Sequence, residues 1–89
     1  MKAIVTVIGE DRVGIIAAVC QDLAEYNVNV LDISQTVMQG YFTMMMVVDV
    51  SAASVPLAEL AKQVEEKGKQ MNLSIRLQRE DIFDAMHRV

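Results

Sequence analysis

Ile8-Gly9-Glu10-Asp11-Arg12-Val13-Gly14-Ile15 separates an apolar run, Ala3 to Ile8, from a segment with helical periodicity. The stretch reads as the end of a strand, a tight turn and the start of a helix. Gly9 and Gly14 lack a Cβ, so the backbone can bend there or approach a neighbour closely. Asp11 has the side chain of a helix N-cap, able to accept from an unpaired first-turn N–H. A helix start also presents free N–H groups and the positive end of the dipole, where a carboxylate or phosphate can be held. The same residues are equally compatible with a shaped turn, a capping aspartate and nothing bound.

Upstream, Lys2 to Ile8 is rich in β-branched residues and free of turn formers, which predicts a strand. Both of its faces are apolar, which predicts a central strand covered on both sides. Downstream, Ile16, Val19, Cys20 and Leu23 recur at i, i+3, i+4 and i+7. This predicts a helix from Arg12 or Val13 to about Tyr26, with Gln21, Asp22 and Glu25 on its solvent side. Asn27 is placed to end the helix in a left-handed conformation. Arg12, at the helix start, opposes the dipole and is expected to point into solvent or to meet an anion.

Val28 to Met38 predicts a second strand, with Leu31, Ile33 and Val37 on one face and Asp32, Ser34 and Thr36 on the other. Gln39-Gly40 is short enough to make a hairpin with a third strand, Tyr41 to Val50. Phe42, Met44, Met46, Val48 and Val50 form one face of that strand. Met45 lies on the other, where a flexible thioether suits an adaptable contact. Pro56 fits the first turn of a second helix. Leu57, Leu60, Ala61, Val64 and Met71 make its inner face, and Gly68 either ends it or admits a close neighbour. Leu73 to Arg79 alternates as a half-buried fourth strand. In the tail, Ile82, Phe83, Met86 and Val89 recur at helical spacing and predict a short amphipathic helix. His87, the one histidine, reads as a surface residue.

The order β-α-β-β-α-β, with right-handed crossovers, predicts an α+β ferredoxin-like sandwich. Two helices cover one face of a four-stranded antiparallel sheet, and the short C-terminal helix follows. One domain spans residues 1–79 and the tail spans 80–89. Of the 89 residues, 53% are hydrophobic, more than one small core needs, so an apolar surface is left for a partner. Met45 and Val47, on the bare face of the sheet, are the candidate interface.

The net charge of −4 opposes tracking a phosphate backbone, and the first strand carries no aromatic ring for stacking bases. No direct nucleic-acid contact is expected. A lone cysteine gives neither a disulfide nor a paired-cysteine metal site, so no metal and no cofactor are expected. No run approaches the ~20 apolar residues of a membrane span and the N-terminal apolar stretch is too short for a signal peptide, which places the chain in the cytoplasm, away from membranes. No nucleophile stands beside a base, so no catalytic residues are assigned. The remaining enzymatic alternative is an acylphosphatase-like hydrolase, whose topology is similar and which uses an arginine in the first loop. Arg12 lies in that loop, but the third strand offers no partner asparagine.

Asp11-Arg12-Val13-Gly14-Ile15 after an apolar strand, with Asn27-Val28-Asn29-Val30 opening the second strand, resembles the ACT domain. More narrowly, the chain resembles the standalone bacterial ACT proteins related to the glycine-cleavage-system transcriptional repressor. The resemblance covers residues 1 to about 79 in order and spacing. It implies a non-catalytic regulatory module, homodimeric, that binds a small molecule such as an amino acid and acts on a regulated protein partner. It places the ligand between the first loop of one subunit and the start of the second strand of the other. On this sequence that means Gly9, Asp11, Arg12, Val13 and Gly14 in the loop and Asn29 in the strand. A ligand-free protein-interaction subunit is the alternative. Two departures stand out: Val13 replaces a common proline, and Glu10 and Asp11 together favour an ammonium over a carboxylate.

Overall fold

Gln39 and Gly40 both hold positive φ, 52° and 83°. This is the geometry of a two-residue type I′ turn, whose twist matches that of the strands it joins. The turn connects β2 (Asn29–Met38) to β3 (Tyr41–Asp49), with Met38 opposite Tyr41. β3 pairs on its other side with β1 (Lys2–Glu10), and β1 with β4 (Ser74–Arg79). All pairings are antiparallel and the order is β2-β3-β1-β4. α1 (Ile15–Glu25) carries the chain from β1 to β2, and α2 (Leu57–Gln70) from β3 to β4. This computed structural model describes residues 1–81. The expected tail helix with Ile82, Phe83, Met86 and Val89, and His87, lie outside the described residues. The architecture is the ferredoxin-like sandwich that the sequence pattern predicts.

Strand alternation decides what the sheet buries. Ala3, Val5 and Val7 of β1 point to the helices with Phe42, Met44, Met46 and Val48 of β3 and Ile75 and Leu77 of β4. Ile15, Val19 and Leu23 of α1 and Leu60 and Val64 of α2 close over them. Each of these side chains except Ala3 contributes about 1.5–3 kcal/mol by leaving water. The methionine triplet splits as the pleat requires: Met44 and Met46 are fully buried, while Met45 is 39% exposed. Cys20 is half-buried against the same core.

β1 is central, but only its helix face is covered by another layer. On the open face Ile4 is buried among its sheet neighbours Val47 and Gln78, and Ile8 is 47% exposed. The expectation of cover on both sides is corrected: a β-branched run looks the same whether a second layer or only the flanking strands shield it.

Both helices end alike. Asn27 (φ 60°) donates to the Ala24 carbonyl at 3.0 Å and Val28 to Leu23 at 3.1 Å. Asn72 (φ 57°) donates to Lys69 at 3.1 Å and Leu73 to Gly68 at 2.8 Å. These are Schellman closures with asparagine in the left-handed position. Gly68 does not stop α2, which runs on to Gln70. It lets β4 approach: a Cβ there would lie 2.6 Å from Ile75 Cγ1. Asp22, expected on the solvent side of α1, is instead buried, 8% exposed. α2 lies close enough to cover it, and a helical wheel of α1 alone does not reveal that neighbour. Burial pushes the Asp22 carboxyl up, the Lys67 ammonium opposes this and Glu25 reinforces it.

Two outcomes follow from this packing. Gly68→Ala gains about 1 kcal/mol of helix propensity but overpacks stiff, β-branched Ile75 at a cost of about 1–3 kcal/mol. A net loss of roughly 1 kcal/mol is expected, read as a lower urea midpoint at unchanged slope. Asp22 holds its proton more tightly when folded. Stability therefore falls as pH rises from the ordinary value of 3.8 through the raised value, and stays lowered at neutral pH. Asp22→Asn is expected to raise the melting temperature at neutral pH, an advantage that disappears below pH 3.8.

Candidate functional site

The first loop is shorter than the sequence implies, because β1 continues to Glu10. Gly9 is therefore a strand residue, opposite Phe42. A Cβ on it would lie 2.5 Å from Leu73 Cδ2 and 3.4 Å from the Asn72 carbonyl oxygen. Its role is to let the α2–β4 corner rest on β1, and it does not shape the loop.

Gly14 sets the start of α1. With φ at 92° it is the N-cap, and no side chain caps the helix. Ala18 N–H donates to the Gly14 carbonyl at 2.9 Å, the first intrahelical bond. Asp11 is thus not the cap: the left-handed turn moves the helix start beyond it. Instead the Asp11 N–H donates to the Gly40 carbonyl at 2.9 Å, tying the loop to the hairpin turn. The N–H groups ahead of the first helical bond belong to Ile15, Ile16 and Ala17, not to Val13 and Gly14. No acidic residue lies in that first turn. Val13 is fully exposed at the loop tip. The Arg12 guanidinium donates through Nη2 to the carbonyl of Met71, the C-cap of α2. A cation at a helix C-terminus is favourable, which resolves its unfavourable place at the start of α1.

These residues line a cleft of about 520 Å³ between the start of α1 and the β2–β3 hairpin. Asp11, Arg12 and Gly14 form its rim and Ile15, Ile16 and Ala17 one wall; Gln35 and Val37 of β2 and Phe42 of β3 form the other. Val37 stands opposite Phe42 and Gln35 opposite Met44, so both β2 residues face the helix side. Neither Gln35 nor Phe42 was expected in a site. Their period-two placement was legible, but the β1–β3 register through Glu10 and the Asp11–Gly40 bond, which fold the loop onto the hairpin, make them its neighbours.

Asn29 is not brought to this cleft within one chain. It pairs with Asp49 at the far end of β2, on the open face. At ~3.3 Å per residue it lies about 26 Å along the strand from Val37. At that end Asp49 accepts from Ser51 N–H at 2.9 Å and sits 3.6 Å from the N-terminal ammonium. The Ser51 hydroxyl and N–H, with that ammonium, hold its carboxyl below the usual range.

β2 is exposed along almost its whole length, with only Val30 half-buried. Leu31, Ile33, Val37 and Met38 are 41–67% exposed. Met45 and Val47 lie beside it on the open face, Val47 half-buried. Among the described residues no cluster of histidine, cysteine or carboxylate side chains is placed to hold a metal. No described helix is long and apolar enough to cross a membrane.

The fold and the loop–helix cleft define a small two-layer α+β module. An ACT domain profile matches residues 2–78, and the chain belongs to the ACT domain family. It is 54% identical over 89 residues to a UPF0237 protein of Clostridium acetobutylicum, covering 100% of both. The structure of an ACT domain protein from Streptococcus pneumoniae matches with a TM-score of 0.82 and 45% identity over 98% of each chain. A protein described as a glycine cleavage system transcriptional repressor matches with a TM-score of 0.74. Its identity is 19%, over 86% of this chain and 44% of that one, a likeness of fold. ACT domains are regulatory, small-ligand-binding modules and not catalysts. The chain is regulatory, and the hydrolase alternative falls.

Proposed function

We propose that the chain is a homodimeric sensor whose cleft takes a small zwitterion, an amino acid or close analogue. One observation carries this reading: the uncapped start of α1 opens on a cleft with apolar walls and a single carboxylate, Asp11, at its rim. A ligand carboxylate supplies the acceptor that Gly14 lacks, meeting the N–H groups of Ile15, Ile16 and Ala17 at the positive end of the dipole. The ligand ammonium meets Asp11. Val37 and Phe42 shield the rest of the molecule, and Gln35 offers an amide.

The second copy is best received along β2. The other edge strand, β4, has six residues and carries Arg76 and Arg79, which discourage pairing. β2 has ten residues, one charge (Asp32) and no proline or lysine. Paired antiparallel with itself over its full length, β2 sets Asp32 opposite Gln35 and meets no like charge. The pairing also brings the start of a second copy's β2, with its Asn29, beside the hairpin end that borders the cleft. A ligand held between the two copies favours one dimer arrangement by its differential affinity, and that arrangement is what a regulated protein partner reads. Met45 and Val47 remain on the open face as the surface for a stacked second copy.

A thermal-shift panel of millimolar amino acids tests the ligand. At ~100 times its dissociation constant a ligand adds about 2.7 kcal/mol, a rise of roughly ten degrees or more for a domain of this size. Gly14→Val should abolish the shift, because valine resists φ of 92°. Asn29→Ala should reduce it less, since that side chain faces the other side of the sheet. No shift with any amino acid would leave the ligand-free interaction subunit in its place. Light scattering at micromolar protein should give twice the chain mass, reduced to one by Ile33→Glu and not by Met45→Glu. The reverse pattern would move the dimer contact to the open face.

A further inference from the structure

We propose that Arg12 is a latch that links the cleft to the α2–β4 corner beside it, so that an occupied cleft steadies that corner. The part concerning occupancy rests on reading the cleft as the ligand site; the latch itself does not. Two observations meet here. Arg12 lines the cleft while its Nη2 donates to the Met71 carbonyl. Beneath it, the same corner is seated on β1 at Gly9, where even a methyl group would collide with Leu73. The corner is the Schellman closure of α2, held by the Asn72 and Leu73 amides at 3.1 and 2.8 Å. It turns directly into β4, the edge remote from β2.

A guanidinium has five N–H donors in a fixed plane, and the Met71 carbonyl engages one nitrogen. The remaining donors are available to a carboxylate in the cleft without breaking the existing bond. Such a ligand gives a long, exposed side chain a second fixed partner, and so lowers the rotamer entropy that works against its hold on Met71. Linkage then runs both ways: a firmer corner favours the ligand by the same factor. Occupancy of a cleft bordered by β2 is thereby felt at the start of β4.

Amide hydrogen exchange on the full chain tests this. Arg12→Ala should speed exchange of the Asn72 and Leu73 amides several-fold while leaving the Val5 and Met46 amides in the sheet centre unchanged. Unchanged corner amides would overturn the latch, whether or not any ligand binds. Exchange is then repeated with the millimolar amino acid that gives the largest melting shift. Slower exchange of Asn72 and Leu73 is expected in the wild type and not in Arg12→Ala. A ligand that raises the melting temperature yet leaves these amides unaltered would overturn the coupling while sparing the ligand site. If no amino acid moves the melting temperature, the sensor reading fails and the Arg12→Ala comparison alone decides the latch.

Discussion

The left-handed turn at Gly14 is the constraint on which the rest of the site depends. With φ at 92° the chain reverses just before α1, and the helix begins without a side-chain cap. A residue with a Cβ at that angle costs on the order of 1–3 kcal/mol, so the glycine is a requirement of the geometry. The turn moves the helix start past Asp11, whose amide is then free to bond Gly40. It also turns Arg12 away from the helix it precedes and toward the end of α2. One backbone angle thus creates the open N–H groups, the cleft and the reach between helices.

A second constraint comes from size. A domain of this length cannot cover all its apolar surface with two helices, and what remains uncovered is β2 and part of the open face. The helix layer stops short of β2, leaving Ile33, Gln35 and Val37 as a shelf beside α1. An edge strand with this much exposed apolar surface and a single charge, Asp32, has little protection against pairing, which is why the proposed dimer is placed there. Its exposure and the incomplete enclosure of the cleft occur at the same border, which is the basis for proposing that dimerisation and ligand binding are linked.

Much of the fold was legible in the sequence because local chemistry and the global structure agree. Gln39-Gly40 fixed the hairpin, Asn27 ended α1 as its left-handed tolerance foretold, and the pleat sorted Met44, Met45 and Met46. The site was legible only as a neighbourhood. Asp22 was misplaced, and the sequence could not choose between the alternatives left open for Gly9 and Arg12, for one reason: their decisive partners are distant in sequence. Leu73 presses on Gly9, the Met71 carbonyl accepts from the still-exposed Arg12, and Lys67 of α2 stands beside the buried Asp22. Asp11 was misjudged as a cap because sequence alone shows a helix former after an aspartate, not the backbone angle between them. β1 shows the same limit in another form, since an apolar strand looks alike under a second layer or between two neighbours.

The central proposal is that two copies join along β2. Its backbone amides not bonded to β3 report this directly, through hydrogen exchange across a dilution series. Protection of these amides at concentrations where the protein is dimeric, lost in step with dissociation on dilution, is the expected result. Fast exchange of those amides in a protein that light scattering shows to be dimeric would contradict it.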